Sequence, residues 1–219
     1  MGKKKRIFIS RQLASDSPIR NVAQEHYIKD QSLIHFSPLE FKPPEAEWVF
    51  FYSRNGVRFF FENTNLELYP YRYACMSNGT AEELSKYILD ISFVGNGKPE
   101  EVAKLFQDAR KEYEPVCFIR ANNSVDSVHN LLKSHNTFSI PVYDNQPIEV
   151  IPVDDFDILI FTSPMNVDAW FEKNGYRDQE IIVIGSTTKN AVLKHVSLEM
   201  LVAKEPSEYG ISNLLLELV

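Results

Sequence analysis

Two ten-residue stretches of the chain decide its fold, WVFFYSRNGV at residues 48–57 and ILIFTSPMNV at residues 158–167. Each begins with a short apolar run, continues with a serine, and carries a valine four residues after that serine. An apolar run that ends in serine ahead of a helical pattern predicts a buried strand leading directly into a helix. The two stretches lie 110 residues apart, which indicates an internal repeat.

Three further pairs of segments repeat in the same order at nearly the same spacing. Residues 75–81 match residues 184–189 at an offset of 108, and Pro99 to Leu105 match Pro206 to Leu214 at offsets of 107 to 109. The segment from Ile7 to Arg11 resembles that from Cys117 to Arg120. Four ordered matches indicate that the chain consists of two related units.

Each unit alternates strand and helix, which predicts parallel sheets with helices on both faces. One helix is expected over residues 81–91, begun by a capping box at Thr80 to Glu83, and another over 99–113 with Pro99 at its start. The strand candidates of the first unit are 5–10, 31–36, 47–52, 73–76 and 91–94. Those of the second are 115–120, 138–143, 157–162, 181–184 and 200–203.

Two proline-rich stretches, residues 37–44 and 141–152, separate the units at matching places. Proline is disfavoured inside a central strand, so both are interpreted as connectors. This predicts one lobe from residues 1–36 and 151–219, a second lobe from 45–140, and connectors at 37–44 and 141–150. The cleft between such lobes is the expected ligand site.

Composition excludes several classes of protein. Hydrophobic residues make up 44% of the chain and charged residues 24%, which are ordinary globular values. A net charge of −7 argues against binding to nucleic acid or to an anionic membrane, and no apolar run reaches the roughly 18 residues of a membrane helix. Cys75, Cys117 and the five histidines show no metal-ligand spacing. We therefore expect a cytoplasmic protein with neither metal nor cofactor, and a monomer because no apolar helix face is spare.

Hydroxyl residues follow the predicted strands where each helix begins. These are Ser53 and Ser163 in one pair of matching segments, and Thr80 with Thr187 or Thr188 in the other. In parallel sheets ligands bind beyond the carboxyl ends of the strands, and the free N–H groups of a helix start accept carboxylate or phosphate. Plain capping of the helices is the competing interpretation. The chain has no Gly-x-Ser-x-Gly elbow and no phosphate-binding loop.

The motifs that surround these residues resemble those of the uroporphyrinogen-III synthase family over nearly the whole chain. Residues 161–167, FTSPMNV, resemble the family's strand-Thr-Ser-Pro turn, and Ile184 to Thr188 resemble its Gly-x-x-Thr-Ala turn. Residues 116–120 and 141–143 are similar to the family's Leu-Arg strand and Val-Tyr segment. The sequence departs from the pattern at Gln12, at Arg54 to Gly56, and at Ser77.

The resemblance implies two flavodoxin-like lobes, each a parallel sheet flanked by helices, joined by a two-stranded connector. It implies as substrate hydroxymethylbilane, a linear tetrapyrrole with eight carboxylates. The enzyme would promote loss of the terminal hydroxyl to give an azafulvene. The last ring would then attack through a spiro intermediate and become inverted in the cyclic product.

The resemblance also implies roles for individual residues. Tyr143 would assist departure of the hydroxyl as a weak acid, and Thr188 would act by contact with the ligand. The expected substrate-binding residues are Ser10, Arg11, Ser53, Thr80, Arg120, Ser163, Ser186 and Thr187. Packing of Tyr143 in the connector, and surface salt bridges at Arg11 and Arg120, are the competing interpretations.

Two rival functions fit the repeat. One is a non-catalytic, bilobed module that binds or senses a small anion, and the other is a flavodoxin-like flavin or nucleotide protein, for which the chain offers no phosphate loop. The charge of −7 opposes binding of an octa-anion. We therefore expect the acidic residues to face outward and the ligand site to be locally neutral or positive.

Overall fold

The computed structural model describes residues 4–63, 70–132, 136–152 and 154–219, and it divides the chain into two compact units. Unit one consists of the residues up to His35 together with those from Gln146 onward, and unit two runs from Phe36 to Asn145. In both units strands alternate with helices along the chain. This confirms the α/β fold class expected from the repeat.

Unit one is a parallel sheet in which a helix follows each strand except the edge strand Tyr27–Asp30. Its strands are β1 (Arg6–Ile9), β2 (Tyr27–Asp30), β9 (Ile158–Phe161), β10 (Glu180–Val183) and β11 (Leu201–Val202). Its helices are α1 (Pro18–Val22), α6 (Pro164–Lys173), α7 (Ser186–His195) and α8 (Glu208–Leu215). The sheet order is β11-β10-β9-β1-β2 with every neighbour parallel. All four residues of the central β9 are buried, as helices on both faces require.

Unit two repeats this plan with one strand more. Its strands are β3 (Ile34–Pro38), β4 (Trp48–Phe51), β5 (Arg72–Cys75), β6 (Phe93–Val94), β7 (Val116–Ala121) and β8 (Thr137–Pro147). The first two residues of β3 and the last two of β8 belong to unit one. The helices of unit two are α2 (Arg54–Glu62), α3 (Asn78–Leu84), α4 (Pro99–Ala109) and α5 (Ser127–Leu132). The sheet order is β3-β8-β7-β4-β5-β6. The strands from β8 to β6 are parallel, whereas β3 runs opposite to β8, since Leu39 N donates to Val142 O and Ile148 N to Leu33 O.

Alternation along β4 builds a core on each face of this sheet. Val49 and Phe51 pack on the face that also buries Tyr143, whereas Trp48 and Phe50 pack on the face that buries Phe118. Successive strand residues point to opposite faces, so a continuous apolar run such as WVFF predicts a strand covered on both sides. The sheet edge that carries the polar side chains is therefore held by rigid, buried strands.

Most predicted strands form at the expected positions, but the strand predicted at 31–36 begins only at Ile34 and continues to Pro38, as β3. The chain forms β2 before that segment and begins β3 within it. Ser32 and Leu33 lie between the two strands, and Leu33 N donates a hydrogen bond to Asn166 Oδ1 at 2.7 Å instead of to a neighbouring strand. The strand predicted at 138–143 continues to Pro147 as β8 and passes through Pro141.

Two predicted helices have different limits in the structure. The helix expected at 81–91 begins three residues earlier and ends at Leu84, although Ala81, Ile88 and Ile91 still pack against one core. The helix expected at 99–113 ends at Ala109. There Arg110 becomes extended, and its Nη1 donates to the carbonyls of the residues beyond, Lys111, Glu112 and Glu114.

The buried Glu114 carboxylate anchors the amino ends of the strands of unit two and provides a pH-dependent prediction. Its Oε2 accepts from Trp48 Nε1 at 2.7 Å and from Lys111 N at 3.1 Å, and it lies 3.6 Å from Arg72 Nη1. The Trp48 hydrogen bond, with smaller contributions from Lys111 and Arg72, lowers the pKa of Glu114 in spite of its burial. A carboxyl whose pKa is lowered on folding stabilises the protein above its unfolded pKa of about 4.3, and this stability is lost as pH falls.

Glu114→Gln should therefore lower the free energy of unfolding by about 1 kcal/mol at neutral pH. The difference from the unsubstituted chain should shrink as pH falls below about 4.3, where the unfolded carboxyl becomes protonated. Urea unfolding, followed by circular dichroism at neutral pH and again below about pH 4.3, measures this difference in the free energy of unfolding. A difference that stays constant with pH would show that the charge of Glu114 has no part in stability.

Candidate active site

The carboxyl ends of the central strands lead into helix starts in both units. Ser53 caps α2, with its Oγ accepting from Gly56 N at 3.1 Å, and Ser163 caps α6, with its Oγ accepting from Asn166 N at 3.3 Å. Asn166 Nδ2 also donates to Ser163 Oγ at 2.8 Å. The two serines therefore use their side chains to satisfy backbone N–H groups of their own helices.

The threonines of the second pair do not begin their helices, contrary to expectation. Ser77 precedes α3 and Gly185 precedes α7, so Thr80 and Thr188 are each the third helical residue. Thr80 is only 4% exposed and Thr188 only 1%. Both side chains turn into the protein and support the helix start from within, and Thr80 Oγ1 lies 3.3 Å from Ser77 Oγ.

The start of α7 differs from the capped starts because its N-cap residue is glycine. No side chain caps this ten-residue helix, and Gly185 is extended with open space where a Cβ would stand. Ser186 and Thr187, its first two residues, are exposed. The first N–H groups of a helix have no partner within it, and the helix dipole adds positive potential there. The end of β10 therefore offers a place for an anion.

The structure brings Tyr143 and Ser53 together at the carboxyl edge of unit two. Tyr143 Oη lies 3.2 Å from Ser53 Oγ, and the ring stacks on Phe59 with centroids 5.1 Å apart. Burial raises the pKa of the Tyr143 hydroxyl, while the Ser53 hydrogen bond and the charge of Arg58 lower it to a smaller extent. The phenol therefore keeps its proton at neutral pH and is able to donate it in a hydrogen bond.

Ser10 and Arg11 follow β1 in unit one. Ser10 is 1% exposed, and its Oγ accepts from Thr162 N at 2.9 Å, so it ties the end of β1 to the end of β9. Arg11 is partly exposed and lies 3.6 Å from Glu208, which also accepts from Ser17 Oγ at 2.6 Å. Of these two residues, Arg11 is the one whose side chain reaches solvent.

Arg120 makes its contacts inside unit two. Its Nη1 donates to the carbonyls of Ala121 and Asn122 at 2.8 and 2.6 Å. Its Nε lies 3.1 Å from Ser139 Oγ and 3.2 Å from Asp126 Oδ2. The guanidinium is thus bound to protein groups on several sides, which differs from the open carboxylate ligand expected from the sequence.

Three acidic groups near helix starts have an arginine partner. Glu208 pairs with Arg11, Asp126 with Arg120, and Glu82 with Arg54 at 3.1 Å. Pairing of this kind removes much of the local negative potential, so the net charge of −7 does not by itself prevent an anion from binding here.

The sequence did not predict three residues that make contacts at the strand ends and helix starts. Thr162 bonds to Ser10, Ser207 caps α8 by accepting from Gly210 N at 3.1 Å, and Arg54 Nε donates to Gly79 O at 2.8 Å. The repeat held a signal for one of them, because Pro206 matches Pro99 and so marks a helix start next to Ser207. Arg54 was identified in the sequence only as a departure from the family pattern, without a predicted contact.

Both thiols are free and buried, which makes them poor nucleophiles. Burial raises the pKa of Cys75 to about 11, in spite of a weak hydrogen bond to Ser77 O, and burial also raises the pKa of Cys117. At about pH 8 neither should react with an aromatic disulfide reagent in the native protein, and both should react in guanidinium chloride. Reaction of a native thiol with concurrent loss of activity would show that a cysteine belongs to the site.

Metal clusters and membrane-spanning helices are both absent from the described ranges, which omit 1–3, 64–69, 133–135 and 153. No group of three or more His, Cys, Asp and Glu side chains in them is arranged to hold a metal ion. Within the same ranges, none of the helices has the length and apolar character needed to span a bilayer.

Comparisons with known proteins identify relatives of both the sequence and the fold. Residues 21–213 match the model of the family described as uroporphyrinogen-III synthase HemD. The structure resembles uroporphyrinogen-III synthetase from Helicobacter pylori, with a TM-score of 0.70, 22% identity, and coverage of 99% of this chain and 100% of that one. It also resembles a mutant uroporphyrinogen III synthase from Thermus thermophilus, with a TM-score of 0.62, 14% identity and 97% coverage of each chain. No curated protein sequence matches significantly.

Proposed function

Because this chain belongs to the uroporphyrinogen-III synthase family, we propose that it converts hydroxymethylbilane to uroporphyrinogen III in haem biosynthesis. The terminal hydroxyl leaves with a proton as water, and an electrophilic azafulvene remains. The substituted carbon of the last ring attacks it, the spiro intermediate fragments, and the ring recloses inverted with loss of a proton. The family match over residues 21–213 carries this proposal.

We assign substrate carboxylates first to the start of α7. The exposed Ser186 and Thr187 and the uncapped N–H groups beside them suit a carboxylate, since helix starts bind such anions without a cationic side chain. Arg11 supplies a guanidinium in the same unit, with Glu208 as a partner that a substrate carboxylate replaces. A substrate with eight carboxylates has groups for several such contacts, and Ser163 at the start of α6 is proposed to make another.

In unit two we assign the proton donor for water departure to Tyr143. Its hydroxyl is buried, keeps its proton at neutral pH and has Ser53 as its hydrogen-bond partner, which holds the phenol oxygen in place. A positioned weak acid contributes about 10²-fold or more to a step in which a hydroxyl leaves. Thr80 and Thr188 are assigned supporting roles within their helix starts, because their side chains are buried.

Geometry is the main contribution that the protein has to make. Hydroxymethylbilane closes on its own to the uninverted isomer, so catalysis has to favour attack by the substituted carbon over the unsubstituted one. Binding groups on rigid strand ends hold the substrate in one conformation, and orientation of this kind contributes several kcal/mol to a rate. No step of this scheme requires a cofactor.

The alternative is a non-catalytic module that binds a small anion. The rate of hydroxymethylbilane loss distinguishes it from the enzyme, because a binder protects its ligand and saturates at one equivalent. The proposed enzyme should instead increase the initial rate in proportion to protein concentration, far above the buffer blank. A rate equal to or below the blank would favour the binding module.

We also propose that the protein acts in the cytoplasm as a monomer. Two free, buried cysteines suit a reducing compartment. The family's substrate is a tetrapyrrole, so the proposed partner is this small molecule alone, without nucleic acid or membrane. Sedimentation velocity tests the monomer, which should sediment as a single species of 25.3 kDa.

A further inference from the structure

The strand β8, which carries Tyr143, has an irregular register directly before that residue. β7 and β8 pair in register as far as Arg120 and Pro141, but the next pair is Ala121 with Tyr143. Val142 is therefore an extra residue on β8, which is a bulge, and bulges are rare between parallel strands. As a result the consecutive side chains Val142 and Tyr143 both pack in one core cluster instead of pointing to opposite faces.

The bulge is what aims Tyr143 at Ser53. In a regular strand side chains alternate between the two faces, so if Val142 instead of Tyr143 were paired with Ala121, the Tyr143 ring would point to the other face. The bulge itself is fixed by a backbone hydrogen bond of 2.8 Å from Asn122 N to Tyr143 O. The position of Tyr143 therefore depends on where the chain immediately after β7 is held.

A polar cluster on the opposite face of the sheet holds that part of the chain. Arg120 donates to the carbonyls of Ala121 and Asn122, and it is itself fixed by Asp126 and Ser139. Ser139 Oγ donates to Asp126 Oδ2 at 2.8 Å, so a single carboxylate oxygen orients both partners. The connection runs from Asp126 through Arg120 and Asn122 to the backbone of Tyr143.

Asp126 carries two features that a surface aspartate does not need. Its φ is +31°, a left-handed value that is uncommon outside glycine, and its Oδ1 is buried with no hydrogen-bond partner among the described residues. Both features cost free energy, and such costs concentrate where function fixes the geometry. His129 also faces this carboxylate, with Nδ1 3.8 Å from Oδ2, while its backbone N donates to Tyr52 Oη.

We infer that Asp126, with Ser139, is a positioning residue for Tyr143, and that it acts through Arg120 and the β8 bulge. This inference rests on the proposed function only in that Tyr143 is taken as the proton donor. It gives Arg120 a positioning role in place of the substrate-binding role expected from the sequence. None of the three side chains has to touch the substrate.

The test begins with Asp126→Gly, which removes the carboxylate while suiting the left-handed backbone. It should lower kcat for isomer III about tenfold and leave KM within about twofold, because substrate binding is not affected while the donor is misplaced. Ser139→Ala should lower kcat in the same direction by less. Asp126→Asn, which also tolerates this backbone and keeps an acceptor oxygen, should restore most of the activity.

A double-mutant cycle shows whether the loss passes through Tyr143. Asp126→Gly combined with Tyr143→Phe should be about as slow as Tyr143→Phe alone, since a displaced donor and an absent donor lose the same contribution. Losses that multiply would overturn the inference. The matched control is Asp168→Ala in unit one, which removes another carboxylate paired with a histidine, 2.7 Å from His195, and should leave kcat unchanged.

A second measurement decides the inference independently of catalysis. With 3-fluorotyrosine placed at position 143, Asp126→Gly should shift the fluorine resonance of the folded protein, whereas Asp168→Ala should not. An unshifted resonance would overturn the positioning role, whatever the kinetics. If instead Tyr143→Phe costs no activity while the resonance still moves, the assignment of the proton donor fails and the positioning role stands.

Discussion

Tyr143→Phe should lower kcat for uroporphyrinogen III formation about 100-fold and change KM by less than about twofold. Phenylalanine keeps the stacking on Phe59 and removes only the hydroxyl that faces Ser53. The substrate would still bind, but water would leave without its donor. The measurement is the initial rate of isomer III formation as a function of hydroxymethylbilane concentration.

Tyr71→Phe is the matched control for this variant. Tyr71 is also a buried tyrosine of unit two, and its hydroxyl donates to Pro44 O at 2.9 Å, but it lies at the amino end of β5, whereas Tyr143 lies next to Ser53 at the carboxyl end of β4. Its replacement should cost about 1 kcal/mol of stability and no activity. If both variants, or neither, lost activity, Tyr143 would have no special part in the reaction.

Gly185→Asp should raise KM about tenfold and at the same time stabilise the fold slightly. The position is extended with no atom within 4 Å of an added Cβ, so the side chain fits without strain. Aspartate is a preferred N-cap residue, so it would occupy the free N–H groups of α7 and gain a few tenths of a kcal/mol over glycine. The same carboxylate would occupy the proposed substrate site and repel its ligand, which is the reason for the higher KM.

Gly185→Asn separates two effects of the aspartate side chain, its negative charge and its occupation of the N–H groups of α7. Asparagine caps a helix about as well as aspartate but carries no charge, so KM should rise only about threefold. Steady-state kinetics and thermal unfolding measure the two opposite effects. An unchanged KM for Gly185→Asp would remove α7 from the carboxylate site.

The repeat was enough to predict the sheets because it lies in buried strands. β4 and β9 are continuous apolar runs, and such runs have few alternatives in a parallel sheet. The strand β2 was missed because it is not a continuous apolar run. It is an edge strand with the sequence YIKD, none of its residues is fully buried, and it therefore lacks the apolar signal on which the prediction depended.

The helix starts were located to within three residues, and the error has a physical cause. Thr80 to Glu83 satisfies a capping-box pattern, but Ser77 takes the N-cap position and Thr80 is buried in the first turn. Sequence alone does not show which of two hydroxyls three residues apart is buried. It also gave no indication that α7 lacks a capping side chain.

Arg120 shows a different limit of sequence reasoning. Its partner Ser139 meets it only because β7 and β8 are neighbours, and its partner Asp126 comes from the turn before α5. The bulge after Pro141 has no local signal apart from the proline itself. The motif around Arg120 therefore predicted a functional arginine, but not which groups its side chain contacts. In the structure the guanidinium bonds to Asp126, to Ser139 and to the carbonyls that follow β7, and it is only the backbone of Asn122 that links it to Tyr143.

The identity of the porphyrinogen isomer tests the central claim most directly. Freshly prepared hydroxymethylbilane in about 100-fold molar excess is mixed with the purified protein, quenched within its spontaneous closure time, oxidised and separated by chromatography. We expect uroporphyrin III as the main product, in molar excess over the protein. Uroporphyrin I alone, in the amount that buffer gives, would contradict the account.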